Sequence, residues 1–168
     1  STFTLYLPLI YGGPSALRPV PTNGSGTLHE GRQQMPTIVY ERVAQPIPDD
    51  RMSIEPGDAV LIGVNGVFGT RMVDVAQRCG AQVDTVEAEW GKALDAQKFK
   101  DALGKKKYKL AAVVHAETST GVLQPLDDIA KLVRASGALL LVDAVTSLGG
   151  APVRVDELGI DACYSGTQ

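Results

Sequence analysis

Three stretches of the chain, AVLIGV at 59–64, LAAVVH at 110–115 and LLLV at 139–142, are apolar almost without interruption. Unbroken runs of this length read as strands buried on both faces, the pattern of a parallel sheet covered by helices. Between them the period changes. Residues 70–79 place Met72, Val73, Val75 and Ala76 at helical spacing, and Gly80 stands where a helix stops. Residues 82–86 predict a strand, and 95–103 predict a helix capped by Asp95. Residues 125–136 predict a helix with Pro125 at an early position, a stripe of Ile129, Leu132 and Val133, and an end at Gly137. Residues 161–164 predict a last, short strand. This alternation argues for βαβ units, hence an α/β fold with a mostly parallel sheet and helices on both faces.

The rhythm begins at Glu55. Residues 1–54 hold seven of the ten prolines, with Gly12-Gly13 and Gly24-Ser25-Gly26 among them, and read as an irregular segment. The division is therefore 1–54, irregular, and 55–168, a regular α/β unit. With 168 residues, 44% hydrophobic and 21% charged, the composition is that of a globular domain of ordinary size. A net charge of −3 gives no reason to expect nucleic acid or an acidic membrane surface as partner. The cluster Lys105, Lys106 and Lys107 reads as the solvated end of a helix. No apolar run approaches the roughly 18 residues of a membrane span, and the opening TFTLYLPLIYGG lacks a basic leader and a clear cleavage site. Cys79 and Cys163 form neither a metal motif nor a disulfide framework, which points to a reducing, cytoplasmic setting with no metal centre.

Chemistry-bearing residues follow the strands. They are Asn65-Gly66-Val67-Phe68-Gly69, Glu117-Thr118-Ser119-Thr120-Gly121, Asp143 to Ser147, and Ser165-Gly166-Thr167-Gln168. A parallel sheet brings all four to one edge, where open α/β sheets bind ligands. Together they offer a ring face (Phe68), hydroxyls (Thr118, Ser119, Ser165 and Thr167), the Gln168 amide and the Asp143 carboxylate, a set that suits a flat, heteroaromatic, phosphorylated ligand better than a metal. Asp143, ending a greasy strand, is placed to meet a cationic atom such as a pyridinium nitrogen; capping the next turn or pairing with a structural arginine explains it equally well on spacing alone. Simpler readings stand beside the others too. Asn65-Gly66 can be only a turn, Phe68 core, His115 a satisfied structural histidine, and Thr118 to Thr120 caps for the helix at Pro125. Gly24-Ser25-Gly26-Thr27 suits a phosphate cradle, although one such run is a weak signal.

GVNGVFG at 63–69, HAETSTGVLQPL at 115–126, LLLVDAVTSLGG at 139–150 and GIDACYSGTQ at 159–168 together resemble the class V aminotransferases, nearest their alanine–glyoxylate and serine–pyruvate branch. The resemblance covers 55–168, with the motifs in the family's order. It implies part of the large domain of a fold type I enzyme dependent on pyridoxal 5′-phosphate. The implied reaction moves an amino group from a small donor, alanine or serine, to glyoxylate or another 2-oxo acid, in a homodimer. By the same resemblance Asp143 pairs with the pyridine nitrogen, sustaining the ring as electron sink. Val145 packs on one ring face and Phe68 on the other, where these enzymes often carry a tryptophan. Thr118 donates to the phenolic oxygen, and Gln168 contacts the phosphate together with Ser25, Gly26 and Thr27.

Three departures accompany the likeness. The family's Schiff-base lysine directly follows Ser-Gly-Thr-Gln, so it is expected just after Gln168, outside residues 1–168. The small C-terminal domain, which brings an arginine to the substrate carboxylate, falls outside residues 1–168 as well. Between Thr27 and Glu55, proline-rich sequence stands where a helix should leave the phosphate loop. Two alternatives therefore accompany transamination: a truncated, non-catalytic α/β domain, or a class V lyase or desulfurase, which would need a mobile cysteine. Eukaryotic relatives are expected in the peroxisome or mitochondrion rather than the cytoplasm.

Overall fold

The computed structural model describes residues 53–166. Five parallel strands form one sheet in the order β2-β1-β3-β6-β7, where β1 is Ala59–Val64, β2 Gln82–Glu87, β3 Leu110–Val114, β6 Leu139–Asp143 and β7 Ala162–Tyr164. A two-residue pair, β4 (Ala116–Glu117) and β5 (Val122–Leu123), makes a small antiparallel arm directly beyond β3. The helices are α1 (Val67–Arg78), α2 (Ala96–Leu103), α3 (Asp127–Ser136) and a single turn, α4 (Val155–Leu158).

The unbroken apolar runs are the central strands. All five residues of β3 are buried, as are the last four of β6, whereas in the edge strand β2 only Val86 is fully buried. Period-two geometry sends alternate residues to opposite faces. Leu61, Ala111, Val113, Leu140 and Val142 pack with Phe99 of α2 and Ile129, Ala130 and Val133 of α3. On the other face Val60, Ile62, Leu110, Ala112 and Leu141 pack with Ala76, Met72 and Val73 of α1. Helices thus cover both faces, as the alternation predicts.

Chain direction reverses once. From β1 the chain moves to β2 on one side, then returns past β1 to β3 on the other. The C-terminal ends of β1 and β3 therefore flank the switch point, the usual crevice for a ligand in such sheets. That crevice is bridged by Glu117, which is 1% exposed. Its carboxylate accepts from the backbone N–H groups of Phe68 (3.2 Å), Gly69 (3.1 Å) and Ser119 (3.2 Å), and from the Ser119 hydroxyl (2.6 Å). Ser119 in turn accepts from the Val67 N–H at 2.9 Å. The first N–H groups of α1 thus find their partners on the β4 arm, and the negative charge lies at the positive end of the helix dipole. Gly66 makes the approach possible: a Cβ there would overlap the Glu117 side chain and lie 2.6 Å from Ser119 Oγ.

Several boundaries differ from the sequence reading for identifiable reasons. Helix α1 begins at Val67 rather than 70, because its cap arrives from Glu117, far along the chain, and not from a local Ser or Asp. Helix α3 begins at Asp127, after Pro125, with Asp127 and Asp128 in its first turn. Residues Thr118 to Thr120 do not cap that helix; they form the turn between β4 and β5. Asp95 does cap α2, its Oδ1 accepting from Gln97 N–H at 2.8 Å. Gly137 closes α3 at φ 79°, a left-handed conformation that suits glycine. The pattern does not announce a second buried group, the Gln124 amide. Gln124 accepts from Leu94 N–H at 2.7 Å and donates to Leu94 O at 3.2 Å, tying the loop before α2 to the start of α3.

Two expected outcomes follow from these contacts. Glu117→Gln keeps the shape but removes the charge and one acceptor, leaving a buried N–H at the start of α1 short of a partner; urea unfolding should show a loss of about 1–3 kcal/mol. Gly66→Ala, which drives the same carboxylate out of position, should cost at least as much, and amide exchange should rise first in residues 67–70.

Candidate functional site

The C-terminal edge of the sheet gathers the residues picked from the sequence. Asp143 is the last residue of β6 and only 6% exposed. Its Oδ1 accepts from Val145 N–H at 2.9 Å, and its Oδ2 accepts from the Tyr164 hydroxyl at 2.7 Å. Among the described residues no cation pairs with it. The structural-arginine reading therefore fails for the described residues, while the turn-capping reading holds in part through Val145. With one donor on each oxygen and no ion pair among the described residues, this buried carboxylate keeps lone pairs open to a further donor.

Phe68 stands half-buried in the first turn of α1, placed there by the Glu117 anchor. Val145 is half-buried in the turn that leaves β6. Thr118, exposed in the β4–β5 turn, shares a hydrogen bond with the Thr146 hydroxyl. This pair joins the β4 arm to the turn after β6, so Thr118 and Asp143 belong to one bonded edge. Ser165, following β7, reaches back to Ala144 O at 3.4 Å. Thus Phe68, Thr118, Asp143 and Val145 come together on the edge that the topology predicts. Ser25, Gly26 and Thr27, expected at the phosphate, lie outside the described residues, as do Thr167 and Gln168.

His115 is a satisfied structural histidine. It is buried, its backbone N–H meets Asp143 O at 2.9 Å, and its Nδ1 lies 2.9 Å from Ser147 Oγ. Burial pushes its imidazole below the ordinary value, so the ring is neutral near pH 7. Asn65 is more than a turn residue: it is 1% exposed and donates through Nδ2 to Lys92 O at 3.1 Å, holding the loop after β2 beside the crevice. Sequence reasoning places Glu117 among the residues after the strands but misses its anchoring role, and it misses Gln124 and Tyr164 as site-forming residues. A carboxylate and an amide inside an otherwise small and apolar stretch are the available signals for the first two; for Tyr164 only strand register reveals its neighbour. Among the described residues no group of three His, Cys, Asp or Glu is placed to hold a metal ion.

Comparison with known proteins identifies the family. The family model described as aminotransferase class-V matches residues 41–168. The alanine–glyoxylate aminotransferase of Oryctolagus cuniculus is 46% identical over 115 residues, which are 68% of this chain and 29% of that protein. The (S)-ureidoglycine–glyoxylate transaminase of Bacillus subtilis is also 46% identical, over 68% of this chain and 28% of its own length. Among solved structures, an alanine–glyoxylate aminotransferase from Nostoc sp. superposes with a TM-score of 0.65 at 51% identity, covering 67% of this chain and 30% of that one. The chain spans less than a third of the length of these relatives. The sheet is accordingly part of a fold type I large domain, and the chain belongs to the class V aminotransferases, a family of pyridoxal-phosphate-dependent enzymes.

Proposed function

We propose that the intact protein catalyses pyridoxal-phosphate-dependent transamination, moving an amino group from a small amino acid such as alanine or serine to glyoxylate or another 2-oxo acid. The observation that carries this reading is Asp143: a buried carboxylate at the strand end, met by two donors and, among the described residues, by no cation. Relatives named for glyoxylate as acceptor support the substrate class.

The residues present fit the cofactor. Asp143 would hold the ring nitrogen, Val145 and Phe68 would bracket the ring, and Thr118 would donate to the phenolic oxygen. Ser25, Gly26, Thr27 and Gln168 would take the phosphate by the family resemblance. When bound, the cofactor supplies an electron sink for the pair released as the substrate's α-proton leaves. The chain's own part is electrostatic and positional. Asp143 favours a protonated ring nitrogen, the apolar faces exclude water, and the Glu117-anchored turn fixes the height of Phe68 above the sheet. The proton-carrying lysine is expected immediately beyond Gln168. Val67, Trp90, Leu123 and Leu148 are large exposed apolar residues in segments that all lead away from the same sheet edge. A second subunit would cover these exposed apolar residues, which is our reason for inferring a homodimer, and the cytoplasm is the compartment we infer for it.

The test uses the intact protein with alanine, serine or (S)-ureidoglycine as donor and glyoxylate as acceptor, following glycine formation. Glycine should accumulate with at least one donor, and failure with every donor in a cofactor-loaded sample removes the assignment. Asp143→Ala should weaken pyridoxal-phosphate binding at least about tenfold, since a charge-assisted hydrogen bond contributes about 1.5–3 kcal/mol. Glycine formation should fall by a larger factor, because the electron sink is lost as well as the contact.

A further inference from the structure

Each oxygen of Asp143 has its own donor, and the two differ in kind. Val145 N–H is backbone, fixed by the turn. The Tyr164 hydroxyl is a side chain brought from the next strand, β7, by register: Asp143 and Tyr164 are paired neighbours in a parallel ladder, so their side chains leave the same face. The pairing continues through Ala144 N–H to Tyr164 O at 2.8 Å, which fixes the approach of the phenol. Burial, and then the Asp143 carboxylate, push the Tyr164 phenol far above its ordinary value, while Arg71 of α1 pulls weakly the other way. The hydroxyl is therefore a permanent donor under any working condition.

We infer that Tyr164 is a positioning residue for the contact between Asp143 and the cofactor's ring nitrogen, an inference that rests on the assignment of Asp143 to that nitrogen. A carboxylate facing a pyridinium in a water-poor site can take its proton and leave a neutral pair, in which the ring no longer draws electrons strongly. A donor on the carboxylate opposes that transfer, because it bonds best to the charged form. The same bond stops rotation about the carboxylate's last torsion, which is otherwise broad and nearly two-fold. Tyr164 therefore holds the shared proton on nitrogen and aims the free lone pair at it.

The experiment is fluorescence titration of the full chain with pyridoxamine phosphate and with its 1-deaza analogue, in which carbon replaces the ring nitrogen and nothing can bond to Asp143. Tyr164→Phe should weaken pyridoxamine phosphate by about tenfold, the scale of one hydrogen bond to a charged group. Affinity for the deaza analogue should remain within about twofold of the parent, the precision at which so small an energy is resolved. Equal weakening of both ligands would mean that the hydroxyl only packs β7 against β6, and would overturn the inference. So would unchanged affinity for both. Asp143→Ala separates the two levels. If that variant keeps the parent's preference for the ring nitrogen, the assignment of Asp143 fails; if it loses the preference while Tyr164→Phe does not, Tyr164 alone is ruled out. Tyr164→Met, which fills similar space without a donor, serves if Tyr164→Phe does not retain the parent's circular-dichroism melt.

Discussion

A fully buried carboxylate without a cation is tolerated only where donors surround it, and the Glu117 carboxylate organises the edge of this sheet on that condition. The donors are the first N–H groups of α1 and the turn of the β4 arm. One side chain thereby fixes the start of the helix after β1 and the path of the chain after β3, the two segments that flank the switch point. Hydrogen bonds to a charged acceptor are about twice as strong as neutral ones, and the helix dipole adds to them. The arrangement needs Gly66, because only a residue without Cβ lets the carboxylate reach the helix start. Phe68 inherits its position from this anchor, as does Thr118, which directly follows Glu117 in the arm.

Much of this fold is legible in the sequence because the signals are local. The run LLLV needs burial on both faces, Asp95 caps the helix it precedes, and Gly137 ends one at a positive φ. Strand direction and the gathering of Phe68, Thr118, Asp143 and Val145 at one edge follow from the βαβ rhythm alone. The readings that shifted depend on partners far away in the chain. Helix α1 starts three residues early because its cap comes from Glu117, and no pattern around Gly66 announces that. The β4–β5 arm is two residues long on each side, too short for alternation to register. Gln124 looks like an ordinary polar residue before a proline, and its bonds to Leu94 exist only once the sheet is assembled.

The sheet edge carries two buried carboxylates, and their surroundings separate a structural group from a chemical one. Glu117 is closed: three backbone N–H groups and a hydroxyl occupy it, all from the chain itself. Asp143 is held by one donor on each oxygen, with lone pairs to spare on both. Burial demands partners, and a carboxylate kept at a strand end with capacity left over is adapted to something that arrives later. His115, buried beside it and neutral, adds no competing positive charge. Asp143 thus makes no ion pair among the described residues and keeps lone pairs open on both oxygens.

Neither cysteine among the described residues is placed as a nucleophile. A desulfurase-type reaction needs a thiolate that reaches the cofactor, so its thiol must be easily ionised and carried on a movable loop. Cys79 caps the C-terminal end of α1. Because that helix runs back against the strand direction, Cys79 lies at the sheet edge opposite Asp143. Cys163 lies within β7, half-buried, and its thiol is pushed up by burial and then by the negative charge of Asp143. The Asp143 carboxylate thus disfavours a thiolate on the neighbouring strand. Position for Cys79, and burial with a neighbouring carboxylate for Cys163, both argue against use of these two thiols as nucleophiles.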